Sequence, residues 1–146
     1  MSIRESTGTI GRPKEDKVAT QEEHHEELIR GMAEQLKSIL DKSPQAIYLY
    51  LDDNHKTCNK NFATLVGYKS VKAWEKVDAP LADVVEASQP KVVAAYGRAS
   101  EKMEAGSVRL TMKNVSTGEL IKANMIMAPV AYQGHVMVLH FLNKLD

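Results

Sequence analysis

The sequence predicts an α+β fold, a five-stranded antiparallel sheet with helices on one face and an amphipathic helix ahead of it. Three observations carry this expectation. In the middle of the chain, Asn59 to Tyr68 reads N-K-N-F-A-T-L-V-G-Y, a polar start, a short apolar helix and a glycine stop, directly after two β-like runs. Towards the end come three β-rich runs separated by Ser116-Thr117-Gly118 and by Gln133-Gly134, both turn chemistry. Near the start, Ile29, Met32, Leu36 and Ile39 recur at spacings of three and four, which is one stripe of a helix.

Residues 1–19 mix Ser, Thr, Gly, Pro and charges without period, so burial cannot offset their ordering entropy and a flexible tail is expected. Thr20 with Glu23 is a capping-box pair that opens a helix over 20–42. Ser43-Pro44 stops it, because the residue before a proline avoids helical angles. Leu28, Ala33 and Leu40 widen its stripe. Two heptads are too few for a stable coiled coil, and Gly31 costs up to about 1 kcal/mol relative to Ala. The helix is therefore expected to lean on its own sheet while Ile29, Met32, Leu36 and Ile39 also pair with a second copy, making a homodimer.

The remainder, 43–146, reads as one domain. Ala46 to Leu51 is a strand, Asp52-Asp53-Asn54 its turn, and Lys56 to Cys58 the returning strand. Asn59 caps the next helix, since its side-chain oxygen accepts a backbone N–H of the first turn. Phe62, Leu65 and Val66 share its apolar face, and Gly67 supplies a left-handed end. K-S-V-K-A-W-E-K-V-D-A-P-L-A-D-V-V then reads as short helical turns around Pro80, with Trp74, Leu81 and Val84 as core anchors. A longer helix opens at Ser88-Gln89-Pro90 and is expected to close at Gly106, with Val92, Tyr96, Ala99 and Met103 on one face. That helix is the natural lid of a pocket. Val108, Leu110 and Met112 alternate with Arg109, Thr111 and Lys113, and Ile121, Ala123, Met125 and Met127 alternate with Lys122 and Asn124. Val136 to Leu142 is apolar on both faces, which suits a central strand or one covered outside by the N-terminal helix.

With 146 residues, 43% of them hydrophobic, the chain can bury one ordinary core. Lys+Arg and Asp+Glu both count 19, and without a long basic run the electrostatic footprint of a nucleic-acid binder is missing. No apolar run approaches a bilayer span, the N-terminal stretch lacks the apolar middle of a secretory signal, and one cysteine cannot form an internal disulfide. These features suggest a cytoplasmic chain with neither a nucleic-acid nor a membrane partner.

From Ser43 to Leu142 the sequence resembles the PAS sensor family. S-P-Q-A-I-Y-L-Y-L-D-D-N-H-K-T-C-N-K-N-F-A-T-L-V-G-Y-K-S is similar to the family's opening strand pair and first helix. G-E-L-I, M-A-P-V and G-H-V-M-V-L-H-F look like its last two strands. The resemblance implies a sensor or interaction domain in signal transduction rather than an enzyme. It also implies that the flanking helix joins a dimer interface; with no output domain read in the sequence, the signal is expected to pass in trans to a partner protein.

Ligand chemistry is sparse. His24 and His25 lie in Glu-Glu-His-His-Glu-Glu, where adjacent helical residues point about 100° apart and cannot face one ion together, so a solvated face is expected. His55 and His135 fall in turns and read as exposed, leaving no predicted metal site. His140 sits on an apolar strand and reads as a satisfied core histidine, with polar contact to a ligand as the alternative. Haem-sensing PAS domains generally ligate through a histidine of the long helix, and 90–106 contains none. Light-sensing relatives use a helical Asn-Cys-Arg-Phe-Leu-Gln motif; Cys58 precedes the helix instead, so haem and flavin are both disfavoured and no cofactor is expected. No phosphate loop, nucleophile motif or Cys-x-x-Cys appears. The expected pocket lining is Phe62, Leu65, Trp74, Tyr96, Met112, Met125, Met127 and His140, because inward methionines adapt to irregular apolar shapes. The alternatives are a ligand-free interaction module and a small cone-shaped α+β enzyme, the latter lacking a carboxylate partner for His140.

Overall fold

The computed structural model describes residues 20–146, and the tail expected over 1–19 lies outside the described residues. Helix α1 (Gln21–Gln35) begins with the predicted capping box: Glu23 N donates to Thr20 Oγ1 at 3.1 Å and Thr20 N donates to Glu23 Oε1 at 2.9 Å. A second helix, α2 (Lys37–Lys42), follows through Leu36, and Ser43 ends it in an extended conformation. Strands β1 (Ala46–Asp52) and β2 (His55–Cys58) form a hairpin. Next come α3 (Lys60–Leu65), α4 (Val71–Glu75), two single 3-10 turns at Pro80–Asp83 and Glu86–Ser88, and the long α5 (Gln89–Lys102). Strands β3 (Gly106–Lys113), β4 (Leu120–Tyr132) and β5 (His135–Lys144) complete the chain.

All neighbouring strands are antiparallel, in the order β2-β1-β5-β4-β3, so the strand that is apolar on both faces occupies the centre. Its two faces feed two cores. Val138 and Leu142 join Ala46, Tyr48, Ala123, Met125 and Met127 under α3, α4 and α5. Met137 and Leu139 join Ile47 and Leu49 on the opposite face, where Leu28, Ile29, Met32 and Leu40 cover them. Burial of a large apolar side chain is worth about 1.5–3 kcal/mol, so these contacts hold the N-terminal helices to the sheet far more firmly than helix propensity does.

Asn59 does more than cap. Its Oδ1 accepts from Phe62 N at 2.9 Å and from Ile47 N at 3.0 Å, while Nδ2 donates to Gln45 O at 2.8 Å, tying the start of β1 to α3. Gly67 takes the predicted left-handed conformation at φ 89°. Gly31 has a packing reason: a Cβ there would lie 2.5 Å from the Tyr132 hydroxyl, so glycine lets the end of β4 approach α1.

The end of α5 corrects the expected stop at Gly106. Met103 closes the helix in the left-handed region at φ 57°, and Gly106 is instead the first residue of β3, opposite Met127. Pairing with β4 demands extended backbone at Gly106, so the chain must leave the helix earlier. Met103 is consequently 48% exposed and does not face the inward methionines. Pro129 sits where β4 has only β5 beside it, because pairing with β3 stops at Met127. Among the described residues no helix is long and apolar enough to cross a membrane.

Candidate functional site

Between the inner face of the sheet and α3, α4 and α5 lies a cavity of about 270 Å³. The sheet contributes Tyr48 and Tyr50 from β1, His140 from β5, Met127 from β4 and Met112 from β3; the helices contribute Phe62, Trp74, Val92 and Tyr96; and Ala79, Pro80, Leu81, Asp83 and Val84 line it as well. Six of the eight residues expected to line a pocket do so: Phe62, Trp74, Tyr96, Met112, Met127 and His140. Leu65 packs against the same core without reaching the cavity, and Met125 is fully buried within it. The sequence reading missed Tyr48 and Tyr50, because both faces of β1 are apolar and alternation there does not say which points inward.

Aromatic rings build the wall. His140 stacks on Tyr48 with centroids 3.9 Å apart and planes 10° from parallel, and Tyr48 touches Phe62 and Trp74 at 4.8 and 5.2 Å. Tyr50 meets Tyr96 edge-on at 5.3 Å. His140 Nδ1 lies 3.0 Å from Val138 O, and burial drives its pKa down to about 3, so the ring is neutral and Nδ1–H donates to that carbonyl. Tyr48 is 7% exposed, and burial pushes its phenol well above the usual range. Its hydroxyl has no hydrogen-bond partner among the described residues, although a buried hydroxyl normally has one. Tyr50 donates to Asp53 Oδ1 at 2.5 Å and Tyr68 to Asp83 Oδ2 at 2.6 Å. Burial raises the Asp83 pKa against the opposing bond from Tyr68. The buried Lys56 donates to the carbonyls of Asp53, Glu75 and Val77, and so braces the β1–β2 turn against α4.

The histidines correct the expectation of solvated or turn-exposed side chains. His55 is 3% exposed: Nδ1 lies 2.6 Å from Asp52 Oδ1 and Nε2 lies 2.8 Å from Glu22 Oε2. His25 Nδ1 lies 2.8 Å from Asp52 Oδ2. Burial opposes the charge on His55, but the bonds and charges of Asp52 and Glu22 outweigh it and raise its pKa. Burial likewise opposes the Asp52 charge, and the bonds from His55 and His25 reverse the sign and lower its pKa. His135 and His24 stand edge to face at 5.1 Å beside this group. Four of the five histidines therefore meet where α1 begins.

The expected dimer seam is divided. Ile29 and Met32 are each 5% exposed because they pack on the sheet of their own chain, Leu36 is half-buried against the same face, and Ile39 is 47% exposed. The bend at Leu36 and the apolar outer face of β1 and β5 produce this split.

Neither a family model nor a curated protein matches the chain. Among solved structures it is similar to a PAS domain from a two-component sensor histidine kinase, at TM-score 0.60 and 10% identity over 80% of this chain and 98% of that one. It is also similar to the LOV protein of Rhodobacter sphaeroides, at TM-score 0.64 and 15% identity over 80% of this chain and 68% of that one. A third is a light-oxygen-voltage domain studied with a flavin analogue, at TM-score 0.57 and 17% identity over 80% of this chain and 85% of that one. The chain has the PAS-domain fold.

These neighbours overturn the expectation of no cofactor with flavin disfavoured. That expectation rested on a missing cysteine motif. A cysteine, however, performs chemistry on a flavin already bound, whereas binding depends on shape and stacking. The lining residues suit a flat ring system in kind, because Tyr48, Trp74, Tyr96 and His140 present aromatic groups and the Tyr48 hydroxyl has no partner among the described residues.

Proposed function

We propose that this domain is a sensor that binds a small planar molecule, flavins included, in the cavity beneath α5 and passes the signal by contact with a partner protein or a second copy. The observation that carries this reading is the cavity of about 270 Å³, walled by aromatic rings and lined by Tyr48, whose buried hydroxyl has no partner among the described residues. A ligand acceptor at that hydroxyl relieves the cost of about 1–3 kcal/mol that an unsatisfied buried group carries. In this reading the domain is a non-enzymatic module of the cytoplasm. For dimerisation, the exposed Ile39 is the seam residue not committed to the sheet, and Ile39→Glu tests it by light scattering.

The ligand test is mass spectrometry and absorbance of the purified protein, followed by thermal shift against flavins and other planar metabolites. Bound ligand at a hundredfold excess over Kd stabilises by about 2.7 kcal/mol. Val92→Phe fills the cavity and is expected to abolish the shift while the parent melting temperature is kept. If nothing co-purifies, no compound shifts the parent, and Val92→Phe destabilises by overpacking, the sensing reading fails and a ligand-free interaction module takes its place.

A further inference from the structure

We infer that His25, Asp52 and His55 form a binding site for a zinc-class divalent transition metal, which pins the start of α1 to the β1–β2 turn. One ligand atom from each of the three residues lies within 4.8 Å of the others. The donors come from a helix and from both sides of a hairpin, so they converge through tertiary packing rather than as neighbours on one exposed face. His55 is 3% exposed, and its ring is held between two carboxylates. An open cleft lined by Gln21, Glu22, His25, Asp52, Asn54 and His55 gives an ion its entry path.

The donor set selects the ion. Two imidazoles and a carboxylate suit zinc, cobalt, nickel or copper, whereas calcium and magnesium prefer oxygen ligands. In a tetrahedral site with bonds of about 2.0–2.1 Å, ligand atoms stand roughly 3.4 Å apart. His55 Nδ1 lies 2.6 Å from Asp52 Oδ1 and His25 Nδ1 lies 2.8 Å from Asp52 Oδ2, so on binding the carboxylate turns one oxygen to the ion and the donors settle from within 4.8 Å to the tetrahedral spacing. Both histidines bind through Nδ1. Glu22 then takes a supporting part: its Oε2, 2.8 Å from His55 Nε2, accepts that N–H and fixes the tautomer that leaves the Nδ1 lone pair for the metal. The metal replaces protons shared between the rings and Asp52, which leave to solvent, and a water completes its shell. Tyr50 and Asp53 border both this cleft and the aromatic cavity, so the ion braces the turn at the cavity's edge.

The experiment uses tag-free, chelator-treated full chain titrated with Co²⁺ and Zn²⁺. The expected result is one ion per chain, visible Co²⁺ bands of a nitrogen and oxygen site, their displacement by Zn²⁺, and a raised melting temperature. His25→Gln, on the less buried histidine, is expected to retain the fold by circular dichroism and to lose the bands. Asp52→Asn is expected to do the same, while Glu22→Gln weakens binding about 10–100-fold. His24→Gln and His135→Gln are expected to bind as the parent does. The assignment is overturned if the parent shows no saturable one-to-one binding, if folded His25→Gln binds unchanged, or if binding is lost only in the His24 or His135 variants. In the first case the group is an ion-pair network that needs no metal.

Discussion

His140 makes stability depend on pH in a way that can be worked out in advance. The unfolded imidazole titrates near 6.5, whereas in the fold burial beneath α5 drives the pKa to about 3. The folded value is the lower one, so between these limits the unfolded chain binds the proton more readily. The contribution is complete above about pH 6.5 and is lost progressively as pH falls towards 3. One unit of pKa corresponds to about 1.4 kcal/mol, and pH 5 lies about 1.5 units below the unfolded value, so about 2 kcal/mol should have gone by then. His140→Phe keeps an aromatic ring against Tyr48 and removes the titration. Urea unfolding of parent and variant at about pH 7.5 and pH 5 gives a double difference. Contributions common to both proteins cancel in it, including that of His55, whose raised pKa gives stability that is complete below its unfolded value and is lost as pH rises through the folded one. A double difference of about 2 kcal/mol is expected. A value under about 0.5 kcal/mol would refute the picture of a neutral, fully buried ring and would mean that water reaches His140.

Two further substitutions test the frame around the site. Asn59→Ala removes the α3 cap and strands the buried N–H of Ile47, and is expected to lower unfolding stability by about 2–3 kcal/mol in denaturant titration; a loss under about 1 kcal/mol would show that water replaces the side chain. Gly31→Ala alone sets a methyl against the Tyr132 hydroxyl, so the helix-propensity gain of up to about 1 kcal/mol is expected to appear only together with Tyr132→Phe, as a positive coupling in a double-mutant cycle. Simple additivity would mean that Tyr132 swings aside freely.

Features that depend on a few adjacent residues were legible in the sequence. The Thr20–Glu23 capping box, the Asn59 cap, the left-handed Gly67 and the alternation in β3 and β4 are local hydrogen-bonding and steric preferences, and each appears in the fold where the residues placed it. The two-sided apolarity of β5 was enough to expect a central strand or one covered outside by the N-terminal helix, and the fold makes it both. Tertiary structure alone decided what lies across the sheet or between distant elements. Tyr48 and His140 turn inward because β1 and β5 pair as Tyr48 with His140, a register that strands apolar on both faces cannot reveal. Met103 leaves the core because β3 must begin at Gly106. Ile29 and Met32 face their own sheet because its outer side is apolar. His25, Asp52 and His55 meet only when α1 crosses the β1–β2 turn, since a cluster assembled by chain closure leaves no period or spacing in the sequence.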